Sequence, residues 1–96
     1  MQTIPQDLEG NLALALKMAK KSIKNGAKLI VLPELFDSGY CVENESEKYA
    51  SDFTNPQDSK PLQSLLKFCE QHKVYIVGCV IEKDSTNNTF YDTAFI

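Results

Sequence analysis

Lys28-Leu29-Ile30-Val31-Leu32-Pro33-Glu34-Leu35-Phe36 is the stretch that decides how this chain folds. Leu29 to Leu32 is a short apolar run with the length and composition of a buried strand. Pro33 ends it, because its φ is fixed and it has no N–H to give to a ladder. One carboxylate follows at once. In open α/β sheets the residues just past a strand's carboxyl end line the ligand site, so Glu34 stands where chemistry usually happens. On residue type alone two roles are open to it. One is structural: capping a neighbouring helix or meeting a lysine. The other is a general base in a pocket, made more basic by burial.

The flanking sequence sets this strand in an α/β layer. After an irregular lead-in over residues 1–6, Asp7 is placed to cap a helix that runs to about Lys24. Leu12, Ala15, Leu16, Ala19 and Ile23 form its apolar stripe. Lys17, Lys20, Lys21 and Lys24 fall on its opposite, solvated face. Asn25-Gly26 supplies a left-handed stop, and residues 27–32 form the strand. Residues 37–60 are polar and turn-rich, and read as a long loop or a short helix around Glu43–Ser51. Pro61 suits the first turn of a second helix over 61–72, with Ser59 or Lys60 as cap and Leu62, Leu65, Leu66 and Cys69 as its buried stripe. Val74 to Ile81 reads as a strand buried on both faces, and Gly78 within it marks close packing or a bulge. Residues 84–88 form a turn, and Phe90 to Ile96 a last strand.

Composition narrows the function classes. Ninety-six residues make one domain at most, and a net charge of −3 gives no basic footprint for nucleic acid or an anionic membrane surface. No signal peptide or apolar run of membrane-spanning length is visible, so a cytoplasmic setting is expected. Cys41, Cys69 and Cys79 form no CxxC pair and no metal spacing, which points to reduced thiols. Cys69 and Cys79 are expected in the core. Cys41, seven residues after Glu34, reads as an ordinary loop cysteine, since a Cys–Glu nucleophile pair would have no recognisable oxyanion donor. His72, the only histidine, is expected to meet the last carbonyls of its helix. Asp37, Glu43, Glu45 and Glu47 lack the spacing of a calcium loop and read as a solvated acidic loop, so no metal is expected. With Gly39 as the only glycine in the loop that follows the strand, a phosphate cradle and its cofactor are not expected either.

The string from Gly26 to Tyr40 resembles the first active-site segment of the nitrilase superfamily of carbon–nitrogen hydrolases. The opening around Gln2 and Asp7–Asn11, the run Val74–Cys79 followed by Glu82, and Phe90-Tyr91-Asp92-Thr93-Ala94 are similar to successive segments of that family, with Asp92 where asparagine is usual. The resemblance implies a partial α-β-β-α sandwich of nitrilase type, lacking the first strand and the C-terminal half or more. It implies an incomplete carbon–nitrogen hydrolase domain over residues 1–96. It also implies a Glu–Lys–Cys catalytic set acting on an amide, nitrile or carbamoyl compound without a cofactor. Glu34 matches the glutamate of that set as general base, Tyr40 falls near the substrate pocket, and none of the three cysteines matches the nucleophile. The chain is therefore expected to be inactive alone, and to associate with itself or with a complementing chain.

Overall fold

The computed structural model describes residues 1–40 and 43–96. Helix α1 spans Leu8–Lys24; the Asp7 side chain accepts from the Gly10 N–H and closes its first turn. Leu12, Ala15 and Ala19 are buried along one stripe, with Leu16 and Ile23 packed partly against it. The helix stops at Asn25, and Gly26 takes φ +92°, the left-handed backbone that glycine adopts without a Cβ clash. Strand β1, Leu29–Val31, is shorter than the apolar run suggests. Of the two readings of Glu43–Ser51, loop or short helix, the structure has the helical one: a 3₁₀ turn over Glu43–Glu45 and a one-turn helix α2, Ser46–Tyr49.

Helix α3 spans Lys60–His72, with Ser59 as its cap: the Ser59 hydroxyl accepts from the Leu62 N–H. Its buried residues are Pro61, Leu65 and Phe68. The expected stripe is therefore corrected by part of a turn. Leu66 is exposed and Phe68 enters the core, because positions 61, 65 and 68 share the face that meets the sheet. His72 also differs from expectation. Its ring packs on Phe68 with centroids 4.4 Å apart, and its buried Nε2 has no hydrogen-bond partner.

Strands β2, Tyr75–Asp84, and β3, Thr89–Phe95, form an antiparallel hairpin, and β1 pairs with β2 in parallel, so the sheet order is β1-β2-β3. Ser51 extends the ladder on the β1 side of β2: its N–H reaches the Ile81 carbonyl and its carbonyl accepts from Lys83, both at 2.8 Å. Ile30, Ile76 and Val80 point to the helix side and build the core with Leu12, Phe36, Leu65 and Phe68. A Cβ on Gly78 would sit 2.6 Å from the Phe95 ring, so this glycine marks close packing.

The other side of the sheet is bare over much of its length. Leu29, Val31 and Tyr75 are 56%, 68% and 68% exposed. The strand pattern predicted burial on both faces; the structure covers only one. The reason is that α1 and α3 both lie on the Ile76–Val80 side, whereas on the other face a smaller cluster covers the far end, where Ile81 and Tyr49 are buried with Leu35 and Phe90 packed against them. Among the described residues no helix is long and apolar enough to cross a membrane.

Candidate functional site

Glu34 is delivered by the chain that continues β1 along β2. Beyond the strand itself, the Leu32 N–H bonds the Val77 carbonyl at 2.9 Å and the Phe36 N–H bonds the Cys79 carbonyl at 3.3 Å. Residues 33–35 are therefore held beside residues 77–79 of β2. Leu35 takes φ +47°, a left-handed backbone that costs a non-glycine residue about 1–2 kcal/mol. The strained residue turns the chain back on itself, and the Gly39 N–H closes the turn on the Leu35 carbonyl at 2.8 Å. Phe36, Asp37 and Ser38 vanish into the interior, all at 0% exposure.

The turn is anchored from the N-terminal side. The Gln6 N–H donates to the Ser38 carbonyl at 2.7 Å. Asn11, buried on α1, does more: its Oδ1 accepts from the Ile4 N–H, and its Nδ2 donates to the Ile4 and Asp37 carbonyls, each at 2.7 Å. Gly39, at φ +68°, passes so close to Pro5 that a Cβ would lie 3.0 Å from the Pro5 Cα. One buried asparagine thus ties the lead-in, α1 and the Glu34 turn together. Sequence reasoning missed it; the signal available was an asparagine on the edge of an apolar helical stripe.

Asp37 contradicts the solvated acidic loop. Its Oδ1 accepts from the Ser38 N–H at 2.8 Å, but its buried Oδ2 has no partner. Burial pushes its carboxyl up to about 6, against an ordinary value of 3.8. Glu47 pairs with Lys83 instead. Cys41 and the side chain of Glu43 lie outside the described residues. Among those described, no group of His, Cys, Asp and Glu is arranged to hold a metal ion.

Glu34 and Tyr40, six residues apart, are brought together. The Tyr40 hydroxyl donates to Glu34 Oε2 at 2.7 Å, and this bond raises the phenol above its ordinary range. Both residues are exposed, on the bare side of the sheet, so the expected burial of Glu34 is corrected. Two further side chains join them. The Cys79 thiol, expected in the core, donates to Asp92 Oδ1 at 2.6 Å. Strand alternation explains the placement: Tyr75, Val77 and Cys79 share the bare face, and β3 pairs Ala94 with Cys79 and Asp92 with Ile81 on that same face. The Cys79 bond holds the Asp92 carboxyl below its ordinary range, and a side-chain hydrogen bond with Glu34 acts in the same direction.

Burial first, and Asp92 second, push the Cys79 thiol up to about 11. That is the reverse of an activated nucleophile, which needs positive surroundings. Cys69 is half-buried on α3, and burial raises its thiol as well. Phe36 is a core residue. An apolar hollow of about 430 Å³ lies between α3 and the end of β3, walled by Leu62, Leu66, Cys69, Ile76 and Phe95. Glu34, Tyr40, Cys79 and Asp92 take no part in its walls.

Known proteins resemble this chain in sequence and in fold. A nitrilase of Pyrococcus abyssi is 36% identical across 100% of this chain, and nitrilase homolog 2 of Dictyostelium discoideum is 35% identical across 92% of it. The chain spans 36% and 26% of the lengths of these two relatives. Among solved structures, Saccharomyces cerevisiae Nit3, a member of branch 10 of the nitrilase superfamily, superposes with a TM-score of 0.67 at 26% identity. The match covers 96% of this chain and 34% of that one. The glutamine-dependent NAD⁺ synthetase of Acinetobacter baumannii shares the fold at a TM-score of 0.70 and 19% identity, over 98% of this chain and 16% of that one. The carbon–nitrogen hydrolase profile matches residues 1–96 in full, and the chain belongs to that family.

Proposed function

We propose that this chain supplies the general base of a hydrolase that cleaves non-peptide carbon–nitrogen bonds in small amides, nitriles or carbamoyl compounds. Glu34 is that base, and Tyr40 borders the substrate. The observation that carries this is the placement of Glu34: it follows the end of β1, is exposed, and has one oxygen fixed by the Tyr40 hydroxyl at 2.7 Å.

The chemistry runs through a thioester. A cysteine thiol gives its proton to the base and attacks the carbonyl or nitrile carbon. A lysine steadies the negative charge of the tetrahedral state. For an amide, the protonated base hands its proton to the departing nitrogen, which leaves as ammonia or an amine and breaks the C–N bond; for a nitrile, the nitrogen leaves in the same way after water has added to the thioimidate. The freed carboxylate then takes a proton from water, whose oxygen attacks the thioester carbon; the C–S bond breaks, the acid is released, and the base returns the proton to the thiolate. Cys79 is a poor nucleophile, because its thiol is pushed up to about 11 beside a carboxylate. The nucleophile and the lysine therefore belong to the two thirds of the relatives' length that this chain does not span. The same proposal includes a cytoplasmic setting, no cofactor, and a second chain or second copy over the bare face. The family's α-β-β-α sandwich would place a second sheet there.

A different reading, a non-catalytic assembly fragment, is favoured by one observation: Leu29, Val31 and Tyr75 are apolar side chains exposed together on one face of the sheet. One experiment separates the two. The 96-residue chain is assayed against small amides and nitriles alone, then with a polypeptide carrying the rest of a nitrilase. Turnover is expected only from the mixture, and Glu34→Gln is expected to lower it by about 10²-fold or more. Near-normal rates with Glu34→Gln would remove Glu34 as the base. Turnover by the isolated chain with all three cysteines replaced would overturn the mechanism. A complex that forms without turnover favours assembly.

A further inference from the structure

The backbone around Glu34 is held by the sheet, but the turn that returns Tyr40 to it is held from elsewhere. The Leu32 and Phe36 N–H groups, on the Val77 and Cys79 carbonyls, bracket Glu34. Tyr40 lies beyond the last of these bonds, past two left-handed residues, Leu35 at φ +47° and Gly39 at φ +68°. A strained turn of this kind persists only where its surroundings over-determine it. Here they do so from the N-terminal side: the Gln6 N–H holds the Ser38 carbonyl and the Asn11 amide holds the Asp37 carbonyl, each at 2.7 Å. Asn11 is 1% exposed and uses both functions of its amide. Its Oδ1 accepts from the Ile4 N–H, and its Nδ2 donates to the Ile4 and Asp37 carbonyls. An ionised aspartate has no donor and an apolar side chain has neither function, so either would leave the Asp37 carbonyl without this partner. Asparagine is a weaker helix former than alanine or leucine, and the other buried residues of α1, Leu12, Ala15 and Ala19, are apolar. What Asn11 gives is therefore a tertiary tie.

We infer that Asn11 is a positioning residue for Glu34: through the Asp37 carbonyl it holds the turn that seats the Tyr40 hydroxyl on Glu34 Oε2. The path is a chain of hydrogen bonds and a few residues of backbone. It runs from Asn11 to Asp37, along the turn closed by the Gly39 N–H on the Leu35 carbonyl, and from Tyr40 to Glu34. The close approach of Gly39 to Pro5 presses the same turn against the lead-in that Asn11 ties down. Loss of Asn11 leaves the Glu34 backbone on β2 and releases Tyr40. An exposed glutamate without its hydroxyl partner samples several rotamers, of which few are aimed for proton transfer. Asn11 thus acts on the direction of the carboxyl, not on its presence at the strand end.

The inference rests on Glu34 being the base, but its first test needs no turnover. The Tyr40 ring is followed by carbon-13 NMR through its alkaline titration in the native chain, Glu34→Gln, Asn11→Ser and Ile76→Val. The bond to Glu34 raises the native phenol, so Glu34→Gln is expected to bring its midpoint down and to set the full scale. Asn11→Ser keeps a hydroxyl but not the bridge from Ile4 to Asp37, and is expected to bring the midpoint down by about half that scale or more. Ile76→Val thins the same core on β2 and is expected to leave Tyr40 in place. An unmoved midpoint in Asn11→Ser or in Glu34→Gln overturns the inference, and so does an equal shift in Ile76→Val. If Asn11→Ser does not fold, native-state hydrogen exchange in the unaltered chain decides. The Gln6 and Gly39 amides are expected to exchange no faster than the middle of α1, and exchange well ahead of α1 overturns the anchor. In the complemented enzyme Asn11→Ser and Tyr40→Phe are each expected to lower kcat by about tenfold. The double variant is expected to lose little more, because the two changes cut one link. Losses that multiply overturn the positioning role. A missing Tyr40 shift while Glu34→Gln still abolishes hydrolysis sinks the role of Asn11 alone. A shift that persists while Glu34→Gln keeps full activity sinks the base instead.

Discussion

The two faces of β2 carry different kinds of side chain and meet different surroundings. On one face Ile76, Gly78 and Val80 are sealed under α1 and α3, and Val80 is 0% exposed. On the other, Tyr75 is 68% exposed and Cys79 binds a carboxylate. The same ten-residue strand thus makes a core on one side and carries exposed and polar side chains on the other. The difference teaches what each face is for. The helix side supplies most of the burial that stabilises this chain. The bare side supplies polar groups in fixed positions and leaves apolar residues open to another surface.

The sharpest way to break the comparison is to damage the covered face. Phe68 is 5% exposed and packs in the main core. Phe68→Ala is expected to cost about 3–5 kcal/mol, from lost burial plus the cavity left behind. A domain of this size has about 5–15 kcal/mol in total, so the variant should lose most of its cooperative unfolding in urea, followed by circular dichroism. A change below about 1 kcal/mol would mean that the helix side is not where the stability resides.

Phe68 also shows what the sequence could and could not reveal. The α1 stripe was legible because its period of 3.6 has one good solution: Leu12, Ala15 and Ala19 are buried as the spacing predicts. On α3 two stripes fit the period equally well, and only the position of the sheet chooses Pro61, Leu65 and Phe68 over Leu66. Glu34 was legible because Pro33 marks the strand's end. Its exposure was not, because burial depends on what lies across the sheet. Asp37 was misread for a similar reason: its turn is held by Asn11, 26 residues away. Cys79 sits beside Asp92 only once strand alternation is combined with the hairpin register, which no local propensity encodes.

A second way to sharpen the comparison is through pH, because Asp37 is a carboxyl buried as fully as the core. Its folded value is raised, so its contribution is fully present below about 3.8 and lost as pH rises through about 6. The difference between these values corresponds to at most about 3 kcal/mol. Stability in urea is therefore expected to rise as pH falls from about 7 toward about 4.5, and Asp37→Asn should flatten that rise. Asp52 and Asp92 act in the opposite sense, since both are held below their ordinary range and lose their contribution only in stronger acid. A curve that falls monotonically from pH 7, unchanged by Asp37→Asn, would show that the Asp37 turn opens to water.

The smallest expected effect tests the bare face itself. Val31 is 68% exposed, and threonine keeps its β-branched shape. In dilute monomer Val31→Thr should change stability by less than about 0.5 kcal/mol. Association should respond differently. If the bare face is covered by a second chain, each residue on it gives up apolar surface only in the complex. Its replacement then weakens that complex without touching the monomer. Sedimentation across a concentration series, paired with urea melts at its two ends, reads both quantities from the same samples. The expected pattern is equal melts at low concentration and a lower apparent stability for Val31→Thr at high concentration. A concentration-independent loss above about 1 kcal/mol would mean that Val31 is packed within the monomer. The contrast between the two faces of the sheet would then disappear.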